Sequence, residues 1–223
     1  MTIPSVDPNV PVDYMRKKHS SYAGFDHIAW YVGSSLQAAS YFVTRFGFKV
    51  IAHRGPETGS PLLSSYVVAN GRAQLVFTAP VAGPDRKDYR ASEHDHRLLR
   101  EAHAHLAKHG DGVKDIAFEV DDVCGIWEHA VANDANAKSV AEPMLMGDVD
   151  ADRGNVLTAT ITTFGSTTHT LVNRSGYRGV FLPGYREVAG DDPISQLLPP
   201  IECIEIDHCV GNQPWNGLDD IVR

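Results

Sequence analysis

The sequence predicts an α+β fold made of two tandem β-α-β-β-β modules, and three observations carry that prediction. The order strand, helix, three strands is legible twice along the chain. The opening strands of the two copies correspond: Phe25-Asp26-His27-Ile28-Ala29-Trp30-Tyr31-Val32 against Val113-Lys114-Asp115-Ile116-Ala117-Phe118-Glu119-Val120. A third copy begins at Ile206-Asp207-His208-Cys209-Val210, and the spacings from His27 to Asp115 and from Asp115 to His208 are similar, 88 and 93 residues. Self-similarity at a fixed period is the mark of a repeated supersecondary unit.

The elements follow in order. Residues 1–23, with three prolines and little apolar content, read as a loosely held arm. Residues 25–32 form the first strand; Ser34 or Ser35 caps a helix that runs to Phe46, and Gly47 stops it. Residues 48–54 are a strand ended by Gly55-Pro56-Glu57-Thr58-Gly59. Residues 62–69 and 72–78 are strands joined at Asn70-Gly71, a favoured two-residue hairpin turn. A segment over 80–91 leads to a helix capped by Ser92, with Asp95 three residues on, Leu98, Ala102 and Leu106 as its buried stripe and Gly110 as its stop.

The second module repeats the order: strand 113–120, helix 122–135, strand 137–142, a Gly- and Asp-rich loop at 147–154, then strands 155–163 and 166–173 around Gly165. Modules at about 24–80 and 112–174, linked by a helix over 92–109, therefore make one domain over 24–176. Residues 177–203, rich in Pro and Gly, read as a linker, and 204–223 as the severed start of a further domain.

Composition limits the function. The 223 residues are 43% hydrophobic and 22% charged, as in an ordinary soluble globular protein. A net charge of −8 argues against nucleic acid or an anionic membrane as partner. No run of about 18 apolar residues could span a bilayer and no apolar run follows Arg16, Lys17 and Lys18, so a cytoplasmic location is expected. Three cysteines (Cys124, Cys203, Cys209) without metal-like spacing suit a reducing compartment.

The stretch 204–214 carries the chemistry. It reads as a short strand with Ile204, Ile206, His208 and Val210 on one face, stopped near Pro214. A strand histidine facing inward presents a ring nitrogen to a metal. A non-haem Fe(II) centre needs two histidines and one carboxylate on one side of the metal, and only fifteen residues follow His208. Cys209 alternates to the opposite face and is expected to be buried. An unpaired strand from Ile204 would offer a sheet edge and apolar residues to other chains, so aggregation is expected unless 201–223 are removed. His27, Asp115 and His169 occupy related places in the repeats and form an alternative two-histidine, one-carboxylate set. His94, His96, His103, His105 and His109 crowd one helix, but lack the glutamate of a His-Glu-x-x-His zinc motif. Asp148, Asp150 and Asp152 lack the twelfth-position glutamate of a calcium loop.

Paired β-α-β-β-β modules resemble the vicinal oxygen chelate superfamily. Within it, five phrases resemble the 4-hydroxyphenylpyruvate dioxygenase family, with wording closest to fungal members. They are Asp26–Gly33, Gln74–Thr78, His109–Val120, Thr168–Val172 running on to Phe181-Leu182-Pro183-Gly184-Tyr185, and Ile206–Gln213. The resemblance implies an Fe(II)-dependent, α-keto-acid-using dioxygenase of tyrosine and phenylalanine catabolism that turns 4-hydroxyphenylpyruvate and O2 into homogentisate and CO2. It implies that His208 is the first iron ligand and Val210 a pocket wall, that the other two ligands lie outside this chain, and that the domain over 24–176 is metal-free and supports a homodimer. On that basis the chain alone is expected to be inactive. Three further readings remain open: a hydroxymandelate synthase-like enzyme on the same scaffold, a self-contained glyoxalase- or extradiol-type metalloenzyme using His27, Asp115 and His169, and a non-catalytic interaction domain.

Overall fold

A computed structural model describes residues 21–133, 138–148, 150–162, 165–190, 192–212 and 215–217. The predicted arm lies almost wholly outside the described residues, as do the ends of several predicted elements. The first module comprises β1 (Tyr22–Tyr31), α1 (Ser35–Phe46), β2 (Lys49–Arg54), β3 (Leu63–Asn70) and β4 (Ala73–Pro80). Helix α2 (Glu93–His109) follows. The second module comprises β5 (Gly112–Val120), α3 (Val123–Asn133), β6 (Lys138–Gly147), β7 (Asn155–Thr162) and β8 (Thr168–Asn173), and a two-residue strand, β9 (Arg186–Glu187), comes last. The described strands share one mixed sheet in the order β6-β7-β8-β5-β1-β4-β3-β2-β9. Each module pairs its first strand parallel to its last, β1 with β4 and β5 with β8. The modules meet where β1 and β5 run antiparallel, with Ile28 opposite Ile116 and His27 opposite Ala117.

Local chemistry accounts for the elements. The Ser34 side chain accepts from the Gln37 N–H, and Gly47 closes α1 in the left-handed conformation at φ 67°. Ser92 and Asp95 exchange side-chain and backbone bonds as a capping box at the start of α2. Strand alternation then divides the sheet into two faces. Toward α1 lie Ala73, Leu75, Phe77 and Val68, packed with Ala39 and Val43. Toward α3 lie Val120, Leu157, Ala159 and Leu171, packed with Cys124 and Trp127. Among the described residues, no helix is long and apolar enough to cross a membrane.

Several expectations are corrected. The buried stripe of α2 is Leu99, Ala102 and His105 rather than Leu98, Ala102 and Leu106. Strand β6 extends to Gly147, well past residue 142. The Pro- and Gly-rich stretch after residue 176 is in part core: Phe181 is fully buried among Ala52, Val67 and Val76, with Val180, Leu182 and Tyr185 around it. The strand expected from Ile204 does not form; residues 201–212 have no regular secondary structure. Cys209 is exposed, not buried.

Candidate functional site

The face of the sheet away from α1 and α3 holds a buried polar cluster. Asp26 and His27 come from β1, Asp115 from β5, Thr168 and Thr170 from β8, and Arg174 from just beyond it. Asp26, His27, Asp115 and Thr168 are all buried. The Arg174 Nε donates to Asp26 Oδ2 at 2.8 Å, and its Nη2 bonds Oδ1 of the same carboxylate. Asp26 Oδ1 is also 2.6 Å from His27 Nδ1. Burial works to raise the Asp26 pKa, but the His27 ring and the Arg174 guanidinium outweigh it and hold it below the ordinary carboxylate value. Asp115 Oδ1 accepts from the hydroxyls of Thr168 (2.6 Å) and Thr170 (3.0 Å). There burial wins over those two bonds and over His27, and the Asp115 pKa is raised.

The chain's own segment covers this cluster. The Phe181 ring stands edge-on to the His27 ring with centroids 5.0 Å apart, and the Arg174 guanidinium lies 5.3 Å from the Phe181 centroid. Arg174 Nη1 donates to the Phe181 carbonyl oxygen, and Tyr185 packs edge-on against Phe181 at 5.0 Å. Beside it the Tyr177 hydroxyl donates to Asp148; burial and that carboxylate push its pKa up to about 12. Asp148 thus holds a tyrosine and lies within 3.9 Å of Arg153, while Asp150 and Asp152 of the same loop are exposed.

His27, Asp115 and His169 do not converge. On β8 alternate residues face opposite ways, and Thr168 and Thr170 are the ones that reach Asp115. His169 points to the α3 side, where its ring meets Phe118 at 5.3 Å; burial lowers its pKa. Among the described residues no group of three or more His, Cys, Asp or Glu could hold a metal ion. The α2 histidines are engaged one by one. His94 bonds Arg97, His96 bonds the Ser92 carbonyl, and His103 bonds the Ala82 carbonyl. His105 packs 4.9 Å from the His109 ring, with its pKa lowered chiefly by burial.

His208 sits apart, in the irregular segment beyond the sheet. Its side chain is 73% exposed and its Nδ1 lies 2.7 Å from Asp207 Oδ2. A carboxylate on one ring nitrogen leaves Nε2 free to ligate, the usual arrangement around a metal-bound histidine. Val210 is 76% exposed. Among the described residues, no group that could hold a metal ion includes His208. Sequence reasoning missed Arg174 and Phe181, which bond and cover the buried polar cluster, and Tyr177 beside them. A buried-aromatic signal was available in Phe181-Leu182, but prolines and glycines around it read as linker.

No protein-family model matches the chain. Among curated proteins it is 52% identical over 217 residues to the probable 4-hydroxyphenylpyruvate dioxygenase 2 of Aspergillus fumigatus, covering 94% of this chain and 52% of that one. It is 51% identical over 212 residues to the 4-hydroxyphenylpyruvate dioxygenase of the same organism, covering 95% and 51%. The Yarrowia lipolytica enzyme of that name is 43% identical over 226 residues, covering 99% and 53%. Among solved structures, a triple mutant of 4-hydroxymandelate synthase from Streptomyces coelicolor superposes with a TM-score of 0.58 at 25% identity, over 80% of this chain and 44% of that one. The chain is thus a relative of fungal 4-hydroxyphenylpyruvate dioxygenases along almost its whole length, with the vicinal oxygen chelate fold. It spans about half the length of the curated relatives it matches.

Proposed function

We propose that this chain is the N-terminal portion of a 4-hydroxyphenylpyruvate dioxygenase, converting 4-hydroxyphenylpyruvate and O2 to homogentisate and CO2 in tyrosine and phenylalanine catabolism. The observation that carries the reading is identity of 43–52% to several enzymes of that name over 94–99% of the chain. Fe(II) is the cofactor in this reading. His208 is one of its ligands, and the other histidine and the carboxylate come from the half of the relatives' length that this chain does not span. Val210 becomes a wall of the substrate pocket only when that half is present. The chain's own role in this reading is architectural: Phe181 covers a buried cluster that is bonded through Asp26, Arg174 and Asp115. A cytoplasmic homodimer completes the proposal, with neither nucleic acid nor membrane as partner.

The test is a chimera in which residues 1–223 replace the corresponding part of the Aspergillus fumigatus relative. It should take up oxygen with Fe(II), ascorbate and 4-hydroxyphenylpyruvate and release homogentisate, and His208→Ala should abolish both iron retention and uptake. A chimera whose iron content and turnover survive His208→Ala would overturn the ligand assignment. The likeness to 4-hydroxymandelate synthase favours a second reading, separated by the product: 4-hydroxymandelate instead of homogentisate.

A further inference from the structure

Before His208 the chain makes one dense set of contacts with the first module, and the set is built around the turn between β3 and β4. The Asn70 side chain uses donor and acceptor together. Its Nδ2 donates to the Ile201 carbonyl at 2.8 Å and to the Phe46 carbonyl at 3.0 Å, and its Oδ1 accepts from the Cys203 N–H at 3.1 Å. The next amide but one, Arg72 N–H, donates to the Ile204 carbonyl at 2.7 Å. One carboxamide therefore ties the end of α1 to residues 201–203, and the hairpin backbone takes residue 204.

Two glycines leave room for this approach. A Cβ at Gly71, where φ is +59°, would lie 2.1 Å from the Cys203 carbonyl oxygen and 2.8 Å from that of Ile204. A Cβ at Gly47, where φ is +67°, would lie 2.8 Å from the Ile201 carbonyl oxygen. Both obstacles are backbone atoms, so any side chain there would push the segment away. Cys203 and Ile206 then pack against the Phe42, Phe48 and Leu75 cluster. Past Ile206, among the described residues, Val210 is 76% exposed and His208 bonds its neighbour Asp207.

We propose that Asn70, Gly71 and Gly47 form a clamp that fixes residues 201–204 on the first module and so positions His208, making Asn70 a positioning residue for the metal site. This rests on the reading of His208 as a ligand. His208 lies four residues beyond the last clamped carbonyl, a reach of at most about 14 Å. Were the chain free from β9 onward, His208 would lie 21 residues beyond the last anchored one, with a root-mean-square span of about 25 Å for a flexible coil. The clamp thus narrows the space His208 explores before any metal is bound, which lowers the ordering cost of completing the site.

The test uses the 223-residue chain with no metal, so it is independent of the iron reading. Asn70→Ala should speed hydrogen exchange at the Cys203 and Arg72 amides roughly tenfold or more, while Val67, Val68 and Val76 keep their protection. A nitroxide on the exposed Cys209, in a Cys203→Ser background, reports the place of the neighbouring His208 directly. It should broaden amides of the 69–73 hairpin in the parent, and lose that localised broadening on Asn70→Ala. Gly71→Ala should expel the segment by steric conflict alone and give the same label result. Unchanged exchange and unchanged broadening in both variants would overturn the clamp. So would uniform loss of protection through the module, which would make Asn70 a hairpin residue only. His208→Ala in the chimera reports on the ligand role separately.

Discussion

Replacing Arg174 with methionine should destabilise the fold by about 2–4 kcal/mol at pH 7. The Asp26 side chain is 4% exposed and that of Arg174 22%. Losing the guanidinium removes the two bonds to Asp26 and the one to the Phe181 carbonyl. Breaking a buried pair by deleting one partner costs about 3–5 kcal/mol, because the remaining charge stays buried. The partial exposure of Arg174 and the surviving His27 bond lower that expectation to about 2–4 kcal/mol. The pH dependence has a definite sign. Asp26 titrates below its ordinary value of 3.8 in the folded protein, so its contribution is complete above that pH and is lost as pH falls through the folded pKa. The gap between parent and Arg174→Met should therefore be widest at neutral pH and close on acidification, when protonated Asp26 no longer needs a cation. Urea unfolding followed by the fluorescence of the fully buried Trp127 measures it, with the slope against denaturant checked for constancy. A difference under about 0.5 kcal/mol at pH 7, or one that grows toward low pH, would refute the claim that this buried pair stabilises the fold.

Three further outcomes are expected. Phe181→Ala removes a fully buried ring and should cost about 3–5 kcal/mol in the same assay; a loss under about 1 kcal/mol would mean the 177–187 segment is not core. Asp115→Asn keeps an acceptor for the two threonine hydroxyls and removes a buried charge whose pKa is raised. In the parent that carboxyl costs stability as pH rises from its ordinary 3.8 through the raised folded value. The variant should thus be as stable as the parent or more so at pH 7, with a flatter profile above pH 4, and clear destabilisation at neutral pH would contradict this. Finally, Val210 and Trp215 are 76% and 98% exposed, so ending the chain after Ile206 should raise solubility, read by light scattering against concentration. Equal scattering with and without 207–223 would remove these residues as the cause.

Much of the fold was legible because its punctuation is local. Gly47 and Ser92 mark helix ends by capping chemistry, Asn70-Gly71 marks a hairpin, and the two opening strands repeat a recognisable phrase. Burial within α2 was misread by one position, because a histidine, His105, takes the place on the apolar stripe that pattern reasoning gives to leucine. The cover over the polar cluster was illegible for a different reason. Phe181 acts through tertiary packing, and its neighbours Pro183, Gly179 and Gly184 carry loop signals. The set His27, Asp115 and His169 failed on parity: a one-residue offset on β8 sends His169 to the other face while Thr168 and Thr170 take Asp115. Among the described residues the strand expected at His208 has no partner strand, so its period-2 pattern finds no ladder to join. The aggregation expectation loses its sheet-edge argument with that strand, and keeps only the exposed apolar side chains.

Oxygen uptake, measured side by side for the 223-residue chain and for the chimera carrying it, tests the central claim most directly. With Fe(II), ascorbate and 4-hydroxyphenylpyruvate, the chimera should consume oxygen and release homogentisate, while the chain alone, folded and with its cleft filled by Phe181, consumes none. Uptake coupled to homogentisate by the chain alone would contradict the account, because a single ligand, His208, could not then be its whole contribution to the metal site.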